Sequence, residues 1–145
     1  MNVESILKTK GGEVITVAGS QTVRDAVQVL GARNIGAVIV TDADGHCCGI
    51  LSERDIVRQL AATGTPETYL DRPVTDCMTA DVHSCSPAAV LDEVLGMMTE
   101  RRIRHLPVVS DGELVGIISI GDVVKLKIDT TEQEAEQMRS YIAAG

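Results

Sequence analysis

The chain is written twice, and that duplication restricts its possible folds more than any other feature. Gly49-Ile50-Leu51-Ser52-Glu53-Arg54-Asp55-Ile56-Val57 returns as Gly116-Ile117-Ile118-Ser119-Ile120-Gly121-Asp122-Val123-Val124, an offset of 67 residues. Upstream, Val14 pairs with Val82, Thr16 with Ser84, Arg33 with Arg101 and Ile35 with Ile103, an offset of 68. The one-residue difference falls between Asp42-Ala43-Asp44-Gly45 and Ser110-Asp111-Gly112, in turns, where length changes are best tolerated. The openings also correspond: Val3-Glu4-Ser5-Ile6-Leu7 resembles Val74-Thr75-Asp76-Cys77-Met78.

Each copy reads as β-α-β-β-α. A short strand (14–17; 82–85) precedes a helix with Val23, Val27 and Leu30, or Leu91, Leu95 and Met98, on one face. Two strands follow, joined by an Asp-Gly hairpin turn. The second strand ends in Ser-x-x-Asp, which opens another helix. Residues 61–72 carry Gly, Pro and Thr and read as a linker with a short helix of its own. Residues 129–145 predict a separate C-terminal helix that starts at a Thr131-Glu132-Gln133-Glu134 capping box, with Ala135, Met138 and Ile142 on one side. Two roles fit it, packing on its own chain or contact with a second copy. The chain thus divides into 1–66, 67–128 and 129–145.

Composition narrows the class. The 145 residues are 44% hydrophobic but contain no Trp, no Phe and only Tyr69 and Tyr141, so the core is built from Val, Ile, Leu, Ala and Met. Runs such as Ala37-Val38-Ile39-Val40 point to strands buried on both faces, as in α/β folds. A net charge of −8 and the lack of stacking aromatics argue against a nucleic-acid binder. No apolar run reaches the roughly 18 residues that span a bilayer. Met1 to Lys10 lacks the pattern of a signal peptide, so a cytoplasmic protein without membrane contact is expected. Cys47, Cys48, Cys77 and Cys85 lack zinc-type spacing and read as reduced thiols packed as small hydrophobes.

Ser52-x-x-Asp55 and Ser119-x-x-Asp122 admit two compatible readings. Ser at an N-cap with an acid three residues later closes a capping box. The same helix N-terminus is an anion site, where the Ser hydroxyl can add a phosphate bond. The acceptor-only Asp suits the two donors of a ribose cis-diol. Arg104-His105, in the basic run Arg101-Arg102-Ile103-Arg104-His105, favours the binding reading, because Arg forks onto phosphate oxygens and His can donate to them. The aligned residues of copy one, Gly36 and Ala37, carry no charge, so the copies are chemically unequal.

With Gly-apolar-x-Ser-x-x-Asp at both 49–55 and 116–122, and with Ile35-Gly36-Ala37-Val38-Ile39-Val40 and Ile103-Arg104-His105-Leu106-Pro107-Val108-Val109 upstream, the chain resembles the CBS-domain family, specifically a stand-alone tandem pair (a Bateman module), over about its first 128 residues. The resemblance implies an α/β fold of two β-α-β-β-α repeats packed through their sheets with pseudo-twofold symmetry, plus the C-terminal helix. It implies two clefts that draw on both copies. The better one would hold Asp122 on ribose and Ser119, Arg104 and His105 on phosphate, with Thr16, Ala18, Ile35 and Gly36 flanking adenine. The other would use Asp55, Ser52 and Arg54, with Ser84, Ser86 and Ile103 opposite.

The expected function is a regulatory sensor of adenosyl nucleotides, AMP first, with ATP, NAD or S-adenosylmethionine as further ligands and no metal. Its output is expected through an unidentified protein target or through rearrangement of a homodimer. Two rivals stand beside it. One is a structural dimerisation unit with vestigial nucleotide clefts. The other, weaker, is an enzyme with a Cys nucleophile and His46, His83 or His105 as base, although nothing in the sequence pairs a Cys with an ordered base.

Overall fold

In a computed structural model, residues 1–144 are described, and they fall into two packing units that cut across the repeats. One is contiguous, Val14–His83; the other is split, joining Met1–Glu13 to the chain from Ser84 onward. As units of packing, the openings of the two repeats, Val3–Leu7 and Val74–Met78, have changed places. Helix α1 (Val3–Lys10), capped by the Asn2 side chain, belongs to the split unit. The segment aligned with it, a 3-10 turn over Val74–Asp76, belongs to the contiguous one. Val3 and Val74 are each fully buried in their adopted cores. Full burial of such a side chain stabilises by roughly 1.5–3 kcal/mol, so neither opening is a loose appendage.

The contiguous unit runs β1 (Thr16–Ala18), α2 (Val23–Arg33), β2 (Ala37–Thr41), β3 (Cys47–Ser52), α3 (Glu53–Ala62) and α4 (Pro66–Leu70). Its sheet has the order β1-β2-β3, with β1 parallel to β2 and β2 antiparallel to β3. Thr22 and Asp25 close a capping box at the start of α2, and Asn34, in the left-handed region that Asn tolerates, ends it. The expected linker helix is α4, with Pro66 at its start. Tyr69 of α4 donates to Gln59 Oε1 at 2.6 Å, and Gln59 Nε2 donates to the Cys77 carbonyl at 2.9 Å. This chain of bonds satisfies the one buried aromatic, whose hydroxyl burial pushes up to about 12.

The split unit continues with α5 (Leu91–Arg101), β4 (His105–Ser110), β5 (Glu113–Ser119) and α6 (Ile120–Ala144). Here the expected first strand, 82–85, reduces to a single parallel bridge, Cys85 with Val108. Prolines explain the loss. In the contiguous unit the parallel ladder extends through two donors, Ile39 N–H to the Ile15 carbonyl (3.3 Å) and Gly19 N–H to the Thr41 carbonyl (2.9 Å). The residues aligned with Ile39 and Gly19 are Pro107 and Pro87, which have no N–H. Only Cys85 N–H to Pro107 O (3.0 Å) and Val109 N–H to Cys85 O (2.8 Å) survive between them.

Two further expectations change. The buried faces are Val23, Ala26 and Leu30 in α2 and Leu91, Val94 and Met98 in α5. Val27 is exposed and Leu95 half-buried, because the stripe advances by three residues and then four where four and then three was expected. The C-terminal helix does not begin at Thr131. Helix α6 runs unbroken through that position, and the Thr131 hydroxyl donates to the Lys127 carbonyl at 2.8 Å within the helix. Every residue from 131 to 144 is exposed, so this stretch does not pack on its own unit.

Candidate functional site

The Gly-apolar-x-Ser-x-x-Asp motif divides into a seat and a cap. A Cβ at Gly49 would overlap the thioether of Met78, and one at Gly116 would lie 2.6 Å from Leu7 Cδ2. Leu7 and Met78 are aligned residues of the two openings, and each rests on the glycine of the opposite repeat's motif. A β-bulge recurs beside both glycines, at Val40/Thr41 and at Val108/Val109. Each glycine therefore sits where a neighbouring side chain approaches closely.

Beyond the seat, both Ser-x-x-Asp turns are helix caps. Asp55 N–H donates to Ser52 Oγ (3.2 Å), and Asp55 Oδ2 accepts from Ser52 N–H (3.2 Å) and from Ser52 Oγ (2.9 Å). In the split unit Asp122 N–H donates to Ser119 Oγ (3.1 Å) and Asp122 Oδ2 accepts from Ser119 N–H (2.8 Å). Asp122 Oδ2 also accepts from Lys10 Nζ at 2.7 Å, at the end of α1. Burial pushes the Asp122 carboxyl up, but the bonds from Lys10 and Ser119 and the Lys10 charge outweigh it and hold the group below the ordinary carboxylate range.

Strand pairing settles which neighbours face each cap. His105 lies opposite Ser119, and the Arg104 carbonyl accepts from Ile120 N–H at 2.8 Å. In the contiguous unit Ala37 lies opposite Ser52, and the Gly36 carbonyl accepts from Glu53 N–H at 2.9 Å. The hairpin thus brings Arg104, His105, Ser119 and Asp122 to one end of the β4–β5 pair, with Lys10 added. Arg104 is exposed and His105 half-buried. This end can neutralise an anion and accept from a diol; at its counterpart the strand opposite the cap offers no charge, and Arg54 of α3 is the cation beside it.

The other expected residues are distributed as follows. Thr16 and Ala18 are the exposed ends of β1, Ile35 and Gly36 lead into β2, and Arg54 is exposed in the first turn of α3, all in the contiguous unit. Ser84 and Ser86, both exposed, flank the Cys85 bridge, and Ile103 precedes β4, in the split unit. Lys10 was missed. Val3 aligns with Val74, which sets Lys10 against Asp81, so the repeat gave no hint of a cation there.

Two other clusters bear on chemistry. Asp42, Asp44 and His46 meet on the exposed β2–β3 turn, the one such grouping of possible metal ligands among the described residues. Asp42 Oδ1 already accepts from Asp44 N–H (2.9 Å) and His46 N–H (3.0 Å), as a turn-former does. All four cysteines are free. Burial raises Cys47, Cys77 and Cys85, the last to about 11, the reverse of what a nucleophilic thiol needs.

Against known proteins, the CBS domain model matches residues 3–62 and 74–129. A CBS-domain containing protein from Agrobacterium tumefaciens is 42% identical with a TM-score of 0.83, over 88% of this chain and 99% of that one. The mitochondrial CBS domain-containing protein CBSX3 of Arabidopsis thaliana is 30% identical over 99% of this chain and 72% of its own length. The CBS domain pair of protein MJ0100, solved in complex with 5'-methylthioadenosine and S-adenosyl-L-methionine, is 25% identical with a TM-score of 0.77, over 90% of this chain and 98% of that one. No catalytic family is indicated. No described helix is long and apolar enough to cross a membrane.

Proposed function

The chain belongs to the CBS-domain family, whose pairs of this type are regulatory modules, and on that premise we propose that it senses an adenosyl ligand at the Ser119–Asp122 turn of the split unit, AMP ahead of ATP, NAD or S-adenosylmethionine. One observation carries the reading: Arg104, His105 and the Ser119 cap share one hairpin end. Phosphate meets the helix N-terminus, the Ser119 hydroxyl and the two basic side chains, and the ribose diol donates to Asp122. Binding exchanges the Lys10 bond on Asp122 Oδ2 for the diol. Ser52 and Asp55, with Arg54, form a weaker site that suits a ligand with less phosphate demand. The module acts as a homodimer on a protein target.

The test is calorimetric titration with AMP, adenosine and GMP. Arg104→Ala should weaken AMP about tenfold and leave adenosine within about twofold, since a charge-assisted phosphate bond exceeds a neutral one by about 1 kcal/mol or more. Equal losses for AMP and adenosine overturn the phosphate assignment, and GMP binding as tightly as AMP overturns the adenine preference. One observation favours a structural dimerisation unit with vestigial sites instead: both carboxylates are already engaged in caps, and Asp122 in an ion pair. On that reading no nucleotide raises the melting temperature.

A further inference from the structure

The exposed half of α6 has a sequence built for a helix partner. Val124, Ile128, Thr131, Ala135, Met138 and Ile142 are spaced alternately four and three residues apart, the period of a coiled-coil seam. Ile128, Met138 and Ile142 are 52%, 61% and 69% exposed, so the seam is uncovered where the helix leaves its own core. Thr131 does not spoil it, because its hydroxyl is spent on the Lys127 carbonyl and its methyl is left to pack. Residues 131–144 continue α6 with every side chain exposed, so they rest on propagation from the packed first turns alone, and a helix partner would supply the packing they lack.

We propose that α6 pairs with α6 of a second copy as a parallel, in-register, two-stranded coiled coil over residues 124–142. The flanking charges choose both occupant and direction. In the parallel arrangement Lys127 faces the partner's Glu132 and Glu134 faces the partner's Arg139, each twice by symmetry. Antiparallel pairing over the same length sets Glu132 against the partner's Glu132, Glu134 against the partner's Glu134, and Lys125 against the partner's Arg139. Shorter antiparallel overlaps leave either Val124 and Ile128 or Met138 and Ile142 in water. Lys127 also bonds Asp92 Oδ1 at 2.9 Å in its own chain, whereas Arg139 is held there only by a 3.4 Å bond from its Nε to the Ala135 carbonyl, so Glu134 with the partner's Arg139 is the pair to test. The inference does not depend on ligand binding at Asp122.

Two experiments on the full chain decide it. Met138→Cys places a thiol in the seam beside its symmetry mate, while Gln133→Cys faces away. Under mild oxidation Met138→Cys should form a covalent dimer at least about tenfold faster than Gln133→Cys, both measured above wild type, because a disulfide demands close Cβ atoms. Comparable rates for the two overturn the seam, whatever other surface joins the copies. In sedimentation, Glu134→Arg should loosen the dimer about tenfold and Glu134→Arg with Arg139→Glu should restore it to within about twofold. A double variant as weak as the single one overturns the parallel direction.

Discussion

The two packing units grow from one sequence pattern, and they differ where a backbone donor or a single charge has been changed. The contiguous unit completes a three-stranded sheet around Ile39 and Gly19; the split unit, with Pro107 and Pro87 in those places, keeps two strands and a bridge. At the caps the order reverses. The contiguous unit faces Ser52 with Gly36 and Ala37, while the split unit faces Ser119 with Arg104 and His105 and lays Lys10 on Asp122. The better-formed sheet thus carries the barer site. The lesson is that a duplicated scaffold keeps its hairpin, bulge, glycine seat and cap in both copies, and these suffice to hold the fold while strand count and charge diverge.

The largest expected effect tests the proline argument. Ile39→Pro gives the contiguous unit the split unit's defect, leaves the Ile15 carbonyl without its donor and removes a fully buried side chain. It should cost about 3 kcal/mol or more in chemical denaturation. A loss under about 1 kcal/mol would mean the third strand is incidental. Next come the seats. Gly49→Ala meets sulfur and both adjoining carbons of Met78, whereas Gly116→Ala meets chiefly one methyl of Leu7, which can turn aside. Costs of about 2–3 and about 1 kcal/mol are expected in that order, within the range for overpacking. The reverse order would break the assignment of the tighter seat to the contiguous unit.

The smallest effect concerns Lys10 and Asp122. The folded carboxyl is held below its usual 3.8, so the pair stabilises above that value and its contribution is lost as pH falls through the lower folded value. Because the pair is partly exposed, it is worth only a few tenths of a kcal/mol, up to about 0.5, and salt weakens it. Lys10→Met should remove that share of the acid sensitivity as pH falls below about 4, as read by melting temperature against pH. An unchanged profile would dissolve this difference between the units.

The features legible in the sequence were those with a local period or a local bond. The duplicated β-α-β-β-α order, the Asp-Gly turns and both Ser-x-x-Asp caps could be read because each depends on residues a few positions apart. The pairing of His105 with Ser119 was not read, although a hairpin fixes its own register once its turn is known. What escaped depended on distant partners or on a choice between two local rules. Lys10 reaches Asp122 only because the openings exchange cores, which no spacing announces. Thr131 offered itself as a cap, but nothing before it breaks the helix, and its hydroxyl bonds backward instead. The strand at 82–85 was expected from its alignment with 14–17, but the absence of N–H groups at Pro87 and Pro107 cut it to a bridge.

The exchange of openings also orders events in time. As the chain emerges from N to C, α1 appears well before its seat, because Gly116 and the hairpin that carries it come about 100 residues later. Residues 14–83 can meanwhile assemble from their own segments. Closing a flexible loop of about 70 residues to bring α1 to its seat would cost on the order of 4 kcal/mol in chain entropy, and prior folding of the contiguous unit replaces that floppy loop with a shaped body. The split unit is thereby made the late partner in biogenesis, with Val3 and Ile6 of α1 uncovered until it forms.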